Sequence, residues 1–403
     1  MSHRHTAPAP SSPAARAAAW AIPIAAALLI VLLTPGSGLD LAVYREGGLA
    51  LLDPEADLYA PILGPVGDPG LPFTYPTFAA LLFTPLTLVP LPVSLGVLTV
   101  LTAVLMHLVS RDLTGRLRAA LPRWRVPAWV LTVVALLAMP GRETLTYGQI
   151  NVVLMASVYL ALASRRHPWA WFAVAVGVTA GIKLTPLALL LLPLMLGRFR
   201  TILLAGGAFL ATQAIGFLAA PEPTWRFWTS VLRDPSRVGG IDYIDNASVR
   251  GMLARFTEHE TLPWLLGVAA VIGLVAVLIR RERGRDRIVL LGLTSAVPLL
   301  ISPISWVHHF VWWPVFLYAV LAVTSGARSR ALRIAAVTVA GLTLAALAYT
   351  PKHLANAFGD GWINAATGAA IPLGMVLLLG FTLAASLTHR SADGTTPEVR
   401  SGR

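Results

Sequence analysis

The sequence lacks cysteine altogether and carries little charge. Among its 403 residues there is no Cys, and Asp, Glu, Lys and Arg together make up 12%. The first absence excludes disulfides, zinc–thiolate sites and cysteine-held iron–sulfur clusters. The second excludes an ordinary soluble domain, in which about a quarter of the residues are charged. Lysine is scarcer still, with Lys183 and Lys352 the only two. There is no Gly-rich phosphate loop, no HExxH and no GxSxG pattern. Nor is any polar stretch long enough to fold as a cytosolic nucleotide-sugar domain.

What is present is apolar. Hydrophobic residues make up 56% of the chain, and the mean hydropathy is +0.71. The apolar runs recur along the whole length, so the expected fold class is an all-α polytopic membrane protein. Reading runs, Trp belts and Arg loops together predicts about twelve spans, at 17–39, 77–110, 127–139, 150–164, 169–182, 184–196, 202–220, 264–279, 288–301, 308–323, 334–349 and 366–387. Two long loops, 40–76 and 221–263, separate them. A membrane domain over 17–389 is then flanked by disordered tails at 1–16 and 390–403. Arg16 before an apolar run resembles a secretory signal, but the run to Leu33 exceeds the roughly 7–15 residues of a signal core, and no A-x-A site follows. An uncleaved first span is expected.

The net charge of +12 raises the question of nucleic acid, and the distribution answers it. The Arg-rich loops between spans and the two tails hold 22 of the 31 Lys and Arg residues but 5 of the 19 Asp and Glu residues. Basic residues mark the cytoplasmic side, so both termini are placed inside and the two long loops outside. The basicity is topological, and no nucleic-acid partner is expected.

The unusual polar residues collect on the outside. Asp40 follows the first apolar run and opens the segment DLAVYREGG with Tyr44 and Arg45; Tyr75 lies further along the same loop. Carboxylates beside a membrane are costly unless paired or functional. The plainer alternative is a helix-ending Asp with interface tyrosines. The segment GRETLTYGQIN holds Arg142, Gln149 and Asn151 where a span begins. Gln and Asn both donate and accept, which suits sugar hydroxyls and phosphate oxygens; interhelical hydrogen bonding is the other use. Lys183 in GIKLTP lies between two short apolar runs and suits either a phosphate or a lipid headgroup. His308 and His309 open a span after ISPISWV. Adjacent helical residues point about 100° apart, so the pair does not readily share one metal, and no metal is expected. The second loop adds Asn246 and Arg255 in DYIDNASVRGMLARF, where the N-A-S sequon is read as a chance match.

Taken in order, these segments resemble glycosyltransferase family 87, polytopic enzymes of the GT-C type found widely in actinobacteria. The matching pieces are DxxVY at 40–44, LPFTYPT at 71–77, YGQIN at 147–151, IKLTP at 182–186, NxS followed by Arg255, and SPISWVHH at 302–309. Thr77 stands where a second proline is usual, and Val307 where an acidic residue often precedes the histidine pair. The resemblance implies a GT-C fold, a polyprenyl-phosphate sugar donor (most often mannose, with a pentose as the alternative) and a lipid-linked glycan or envelope polysaccharide as acceptor. It also implies an essential aspartate, which carries over to Asp40. No cofactor is expected. On this reading Asp40 is the general base of an inverting transfer, and Lys183, His308, His309 and Arg142 face the donor phosphate. Tyr44, Arg45, Tyr75, Gln149, Asn151, Asn246 and Arg255 meet sugar or acceptor hydroxyls. A lipid or sugar flippase is the main rival, although such carriers normally show repeated halves and mid-membrane sites. A non-catalytic scaffold is a third reading.

Overall fold

A computed structural model describes residues 12–61, 70–349 and 361–390. The expected tails lie largely outside these residues, as does Lys352. Among the described residues every regular element is helical, and the only extended pairing is an isolated bridge between Asn246 and Trp306. Seven helices are long and apolar enough to cross a membrane: Pro13–Leu32, Leu91–Ala120, Phe199–Ala219, Thr261–Arg281, Val307–Thr324, Arg330–Ala348 and Ala365–Thr388. The pair Ala128–Leu137 and Met139–Tyr147, bent by 69°, makes an eighth if counted as one broken span. In the Phe199–Ala219 helix, Leu203 is 76% and Leu218 83% exposed. An apolar face of that kind belongs against lipid tails, and the chain is a multi-pass membrane protein. The remaining predicted spans correspond to shorter helices, Asn151–Ala163, Pro168–Ile182, Thr185–Met195 and Arg287–Ile301.

Many of the elements that build the site lie in the first half of the chain. They are α1 (Pro13–Leu32), α2 (Leu39–Leu52), α3 (Thr77–Phe83), α4 (Leu91–Ala120), α5 (Ala128–Leu137), α6 (Met139–Tyr147), α7 (Asn151–Ala163) and α8 (Pro168–Ile182). Ser12 caps α1 by accepting from the Ala15 amide, with Pro13 in the first turn where its missing N–H is harmless.

The start of the chain corrects the sequence reading. The predicted span 17–39 ends early, at Leu32, because Thr34–Gly38 reads TPGSG. Pro35 cannot continue the helix, and Gly36 (φ 70°) and Gly38 (φ 103°) take left-handed conformations that only glycine adopts cheaply. Asp40 therefore does not stand directly at the exit of the first span. It lies in the first turn of α2, a helix placed where a loop was expected. A carboxylate there is favoured by the helix dipole. The second loop is likewise not structureless, since it contains the helices Pro221–Thr229 and Val249–Ala254.

Two apolar clusters hold the helices. The larger joins α4, α7 and α8 to the later spans through residues such as Tyr159, Phe172, Phe310 and Phe316. The smaller packs α2 under the loop that follows it, through Leu41, Tyr44, Tyr59, Phe73 and Phe83. Gly38 approaches Leu91 and Leu95 at the start of α4. At the far end of that 30-residue helix, about 45 Å away, Arg116 bonds Asp112 at 2.6 Å and also meets Asp286. The Asp40 region and the Arg-rich segment 111–125 thus lie at opposite ends of one helix.

Candidate active site

A cavity of about 720 Å³ is enclosed by α2, α6, the loop before α3, the turn after α8, and parts of the segments 227–245 and 302–309. Its wall is assembled by backbone contacts distant in sequence. The Gly38 amide donates to Thr146 O at 2.6 Å, tying the start of α2 to the end of α6. The Schellman-type cap of α6 places Gly148 at φ 69° and lets the Gln149 amide donate to Thr144 O at 2.8 Å. A Cβ on Gly148 would lie 2.7 Å from the Leu41 Cβ. Only glycine therefore permits both the turn and the close approach of α2.

Asp40 and Gln149 meet across this junction. Gln149 Nε2 donates to Asp40 Oδ2 at 2.8 Å, and Gln149 Oε1 accepts from the Tyr44 hydroxyl at 2.7 Å. Tyr75 lies 3.3 Å from Tyr44, hydroxyl to hydroxyl. Burial, reinforced by the Asp40 carboxylate, raises the Tyr75 phenol above its ordinary pKa, so it remains a neutral donor. Tyr59 holds this loop down, its hydroxyl donating to Tyr75 O at 3.0 Å.

The cationic part of the cavity centres on Lys183, in the turn after α8. Its ammonium donates to Asn151 Oδ1 at 3.1 Å and meets His309 Nε2 at 3.0 Å. An ammonium has no lone pair, so Nε2 accepts and the neutral ring carries its proton on Nδ1. Asn151 also donates from Nδ2 to His308 O at 3.1 Å, joining the start of α7 to the histidine segment. Lys183 sits 5.7 Å from the centre of the Tyr75 ring. Desolvation lowers Lys183 to about 8, with the Asp40 carboxylate acting in the opposite direction. His308 packs edge-on against His309 and Tyr147, and its Nδ1 lies 3.7 Å from Glu143 Oε2.

The structure thus gathers Asp40, Tyr75, Gln149, Lys183, His308 and His309 around one cavity. Asn151 and Tyr44 stand behind that wall and hold groups that line it. Other residues expected at the site lie elsewhere. Arg142 packs on Met139 Sδ within its own helix, and Arg45 pairs with its neighbour Glu46 at 3.7 Å. Asn246 is fully buried. It donates to Ile241 O and Pro303 O and accepts from the amides of Ser248 and Ser305, so the sequon is sealed inside the fold. Arg255 binds the carbonyls of Tyr243, Asn246 and Gly368. Both staple the second loop rather than line the cavity.

Arg237 and Tyr243 line the cavity without having been singled out from the sequence, and Glu143, Tyr147, Asp245 and Trp306, which lie in its polar segments and motifs, line it without having been given a role. Glu143 and Tyr147 stand four residues apart on one face of α6, a spacing that marks a polar stripe in an otherwise buried helix. Among the described residues no group of three or more His, Asp or Glu side chains is placed to hold a metal ion.

The profile of glycosyltransferase family 87 matches residues 73–303, more than half of the chain. The chain belongs to glycosyltransferase family 87. Proteins similar to this chain include a polyprenol-phosphate-mannose-dependent alpha-(1-2)-phosphatidylinositol mannoside mannosyltransferase of Mycolicibacterium smegmatis. It is 30% identical over 391 residues, covering 89% of this chain and 87% of the relative. A protein of the same name from Mycobacterium tuberculosis is 29% identical over 385 residues, 89% of this chain and 88% of the relative. A polyprenol-phosphate-mannose-dependent alpha-(1-2)-phosphatidylinositol pentamannoside mannosyltransferase of M. smegmatis is 35% identical over 283 residues, 68% of this chain and 67% of the relative. The family 87 match begins at Phe73 and ends at Pro303. Asp40 and the histidine pair therefore lie beyond its two ends, and folding brings them to the matched residues Gln149 and Lys183.

Proposed function

We propose that this family 87 protein transfers a mannosyl unit from polyprenyl-phosphate mannose to a hydroxyl of a lipid-linked glycan. The observation that carries the mechanism is the shared cavity, with the Asp40 carboxylate on one wall and the Lys183–His309 pair on another. Asp40 accepts the proton of the acceptor hydroxyl, an assistance worth roughly 10²–10⁴-fold. The hydroxyl oxygen attacks the anomeric carbon in line, and the bond to the polyprenyl phosphate oxygen breaks. A phosphate leaves well without a general acid; what it needs is positive charge in a partly dry site. Lys183 supplies that charge, with His309 Nδ1–H and His308 as neighbouring donors. A single displacement inverts the anomeric centre, so a β-linked donor gives an α-linked product, in keeping with the alpha linkage in the relatives' names.

The wider architecture fits a GT-C fold of twelve spans, with the short helices and the bent pair completing the count. Short or broken helices are tolerated at membrane depth where they pack inside protein or line a cavity. Arg-rich loops at the opposite end of α4 from Asp40 support cytoplasmic termini and an extracytoplasmic site. Membership of a transferase family removes the footing of the flippase alternative.

The test is transfer by the purified protein from a panel of labelled polyprenyl-phosphate sugars, with phosphatidylinositol mannosides as acceptor. Mannose is expected to move to the acceptor in α-linkage. Transfer of arabinose with none of mannose would overturn the donor assignment, and a β-linked mannoside product would overturn the single displacement.

A further inference from the structure

Gln149 lines the cavity, and the sequence places it among residues for sugar hydroxyls. Its two amide ends are already engaged. Oε1 accepts from Tyr44 at 2.7 Å and Nε2 donates to Asp40 Oδ2 at 2.8 Å. The amide can point only one way: turned over, Oε1 would face a carboxylate oxygen at hydrogen-bond distance, acceptor against acceptor. The Asp40 carboxylate sets that direction, and Tyr44, whose hydroxyl fills the Oε1 end, is immobile. It is 1% exposed, stacked on Phe83 at 4.5 Å and 14°, and met edge-on by Tyr75 at 5.3 Å. Asp40 and Tyr44 are four residues apart and so share one face of α2. Gln149, 3% exposed, brackets both from the far side of the Gly148 turn.

We infer that Gln149, locked by Tyr44, is a positioning residue that clamps Oδ2 of Asp40 and leaves Oδ1 to meet the acceptor hydroxyl. Among the described residues Oδ1 has no hydrogen-bond partner. The clamp needs a planar group with an acceptor on one edge and a donor on the other, which Gln provides and an ionised Glu does not. The inference rests on Asp40 being the general base. Lys183 and Tyr75 face Asp40 from other elements, and Glu143, His308 and His309 line the same cavity. On α2 itself Arg45 and Glu46 pair with each other.

The experiment compares Gln149→Glu, Gln149→Leu, Tyr44→Phe, the Tyr44→Phe/Gln149→Leu double variant and Asp40→Asn in purified form. kcat and both KM values are measured across pH. Loss of the clamp misaims the base, and Gln149→Leu is expected to lower kcat about 10²-fold, with both KM values nearly unchanged. Tyr44→Phe gives a smaller loss in kcat, and the double variant is no worse than Gln149→Leu, because both act through one chain of hydrogen bonds. Gln149→Glu sets two carboxylates together, which share a proton, so the acid limb of its kcat profile moves to higher pH. A raised acceptor KM with kcat preserved would overturn the inference and return Gln149 to substrate binding. Additive losses in the double variant, or a wild-type acid limb in Gln149→Glu, would also overturn it. Gln149→Glu keeps the side-chain shape, so its profile decides the matter even if Gln149→Leu fails to fold. An active Asp40→Asn means that the base assignment has failed. An inactive Asp40→Asn beside wild-type-like Gln149 variants means that only the clamp has.

Discussion

Donor affinity should fall as pH rises through about 8, and Lys183 should be the cause. Its ammonium is desolvated, which favours the neutral amine and lowers Lys183 to about 8, with Asp40 opposing that shift. Below that pH the group is a cation beside Asn151 Oδ1 and His309 Nε2 and can grip the donor phosphate; above it the charge and one donor are lost. A charge-assisted hydrogen bond contributes about 1.5–3 kcal/mol, which converts to roughly 10- to 150-fold in affinity. The assay is kcat/KM for polyprenyl-phosphate mannose against pH, since that ratio reports ionisations of the free enzyme. The wild type should show a basic limb near pH 8. In kcat the limb should lie higher, because bound phosphate favours the ammonium. Lys183→Arg should abolish the limb, as a guanidinium stays protonated. Lys183→Ala should also lack it, at a donor kcat/KM lower by the factor above. A basic limb that persists unchanged in both variants would show that Lys183 does not hold the donor.

Other outcomes follow from the same geometry. His309→Phe removes the Nε2 acceptor and frees Lys183 to swing, so donor KM should rise, and Lys183→Ala should add little further; additive effects would place the two at separate sites. Asn246→Ala strips acceptors from the buried amides of Ser248 and Ser305 and should cost on the order of 3 kcal/mol. It should be seen as a lower thermal midpoint with unchanged KM values; a stable variant with a raised acceptor KM would point to substrate contact instead. Gly148→Ala forces a side chain into left-handed backbone at roughly 1–2 kcal/mol and pushes Leu41 away. Because α2 carries Asp40, kcat should fall further than stability alone explains, as judged from kcat and thermal midpoint measured together.

Much of the fold was legible because lipid imposes a simple rule. Spans are apolar and their loops carry the charge, so recurrent runs with Arg-rich breaks announce a multi-pass helical protein. Residues such as Asp40, Lys183 and His309 stand out against that background, and each belongs to the wall of one cavity. Alpha-helix α2 was not legible. Its sequence DLAVYREGG mixes a carboxylate, an Arg–Glu pair and two glycines, a poor local case for helix. Tertiary packing overrides it: a Cβ at Gly47 would lie 2.4 Å from the Phe73 ring, so the glycine that weakens the helix admits the aromatic that buries it. Asn246 and Arg255 misled for a different reason. Their partners, Pro303 O and Gly368 O, are 57 and 113 residues away, and a single sequence gives no sign of such pairings. The short helices were visible as apolar runs, but hydropathy does not tell a short span from one that packs wholly inside protein.

The decisive quantity is the rate of a single turnover by Asp40→Asn near neutral pH, with donor binding followed in parallel. The substitution preserves shape and keeps an acceptor for Gln149 Nε2, so the protein should fold and bind polyprenyl-phosphate mannose as the wild type does. Transfer should drop by about 10²–10⁴-fold. Wild-type transfer from donor bound to Asp40→Asn would remove the proton acceptor from the mechanism, and with it the role assigned to this cavity.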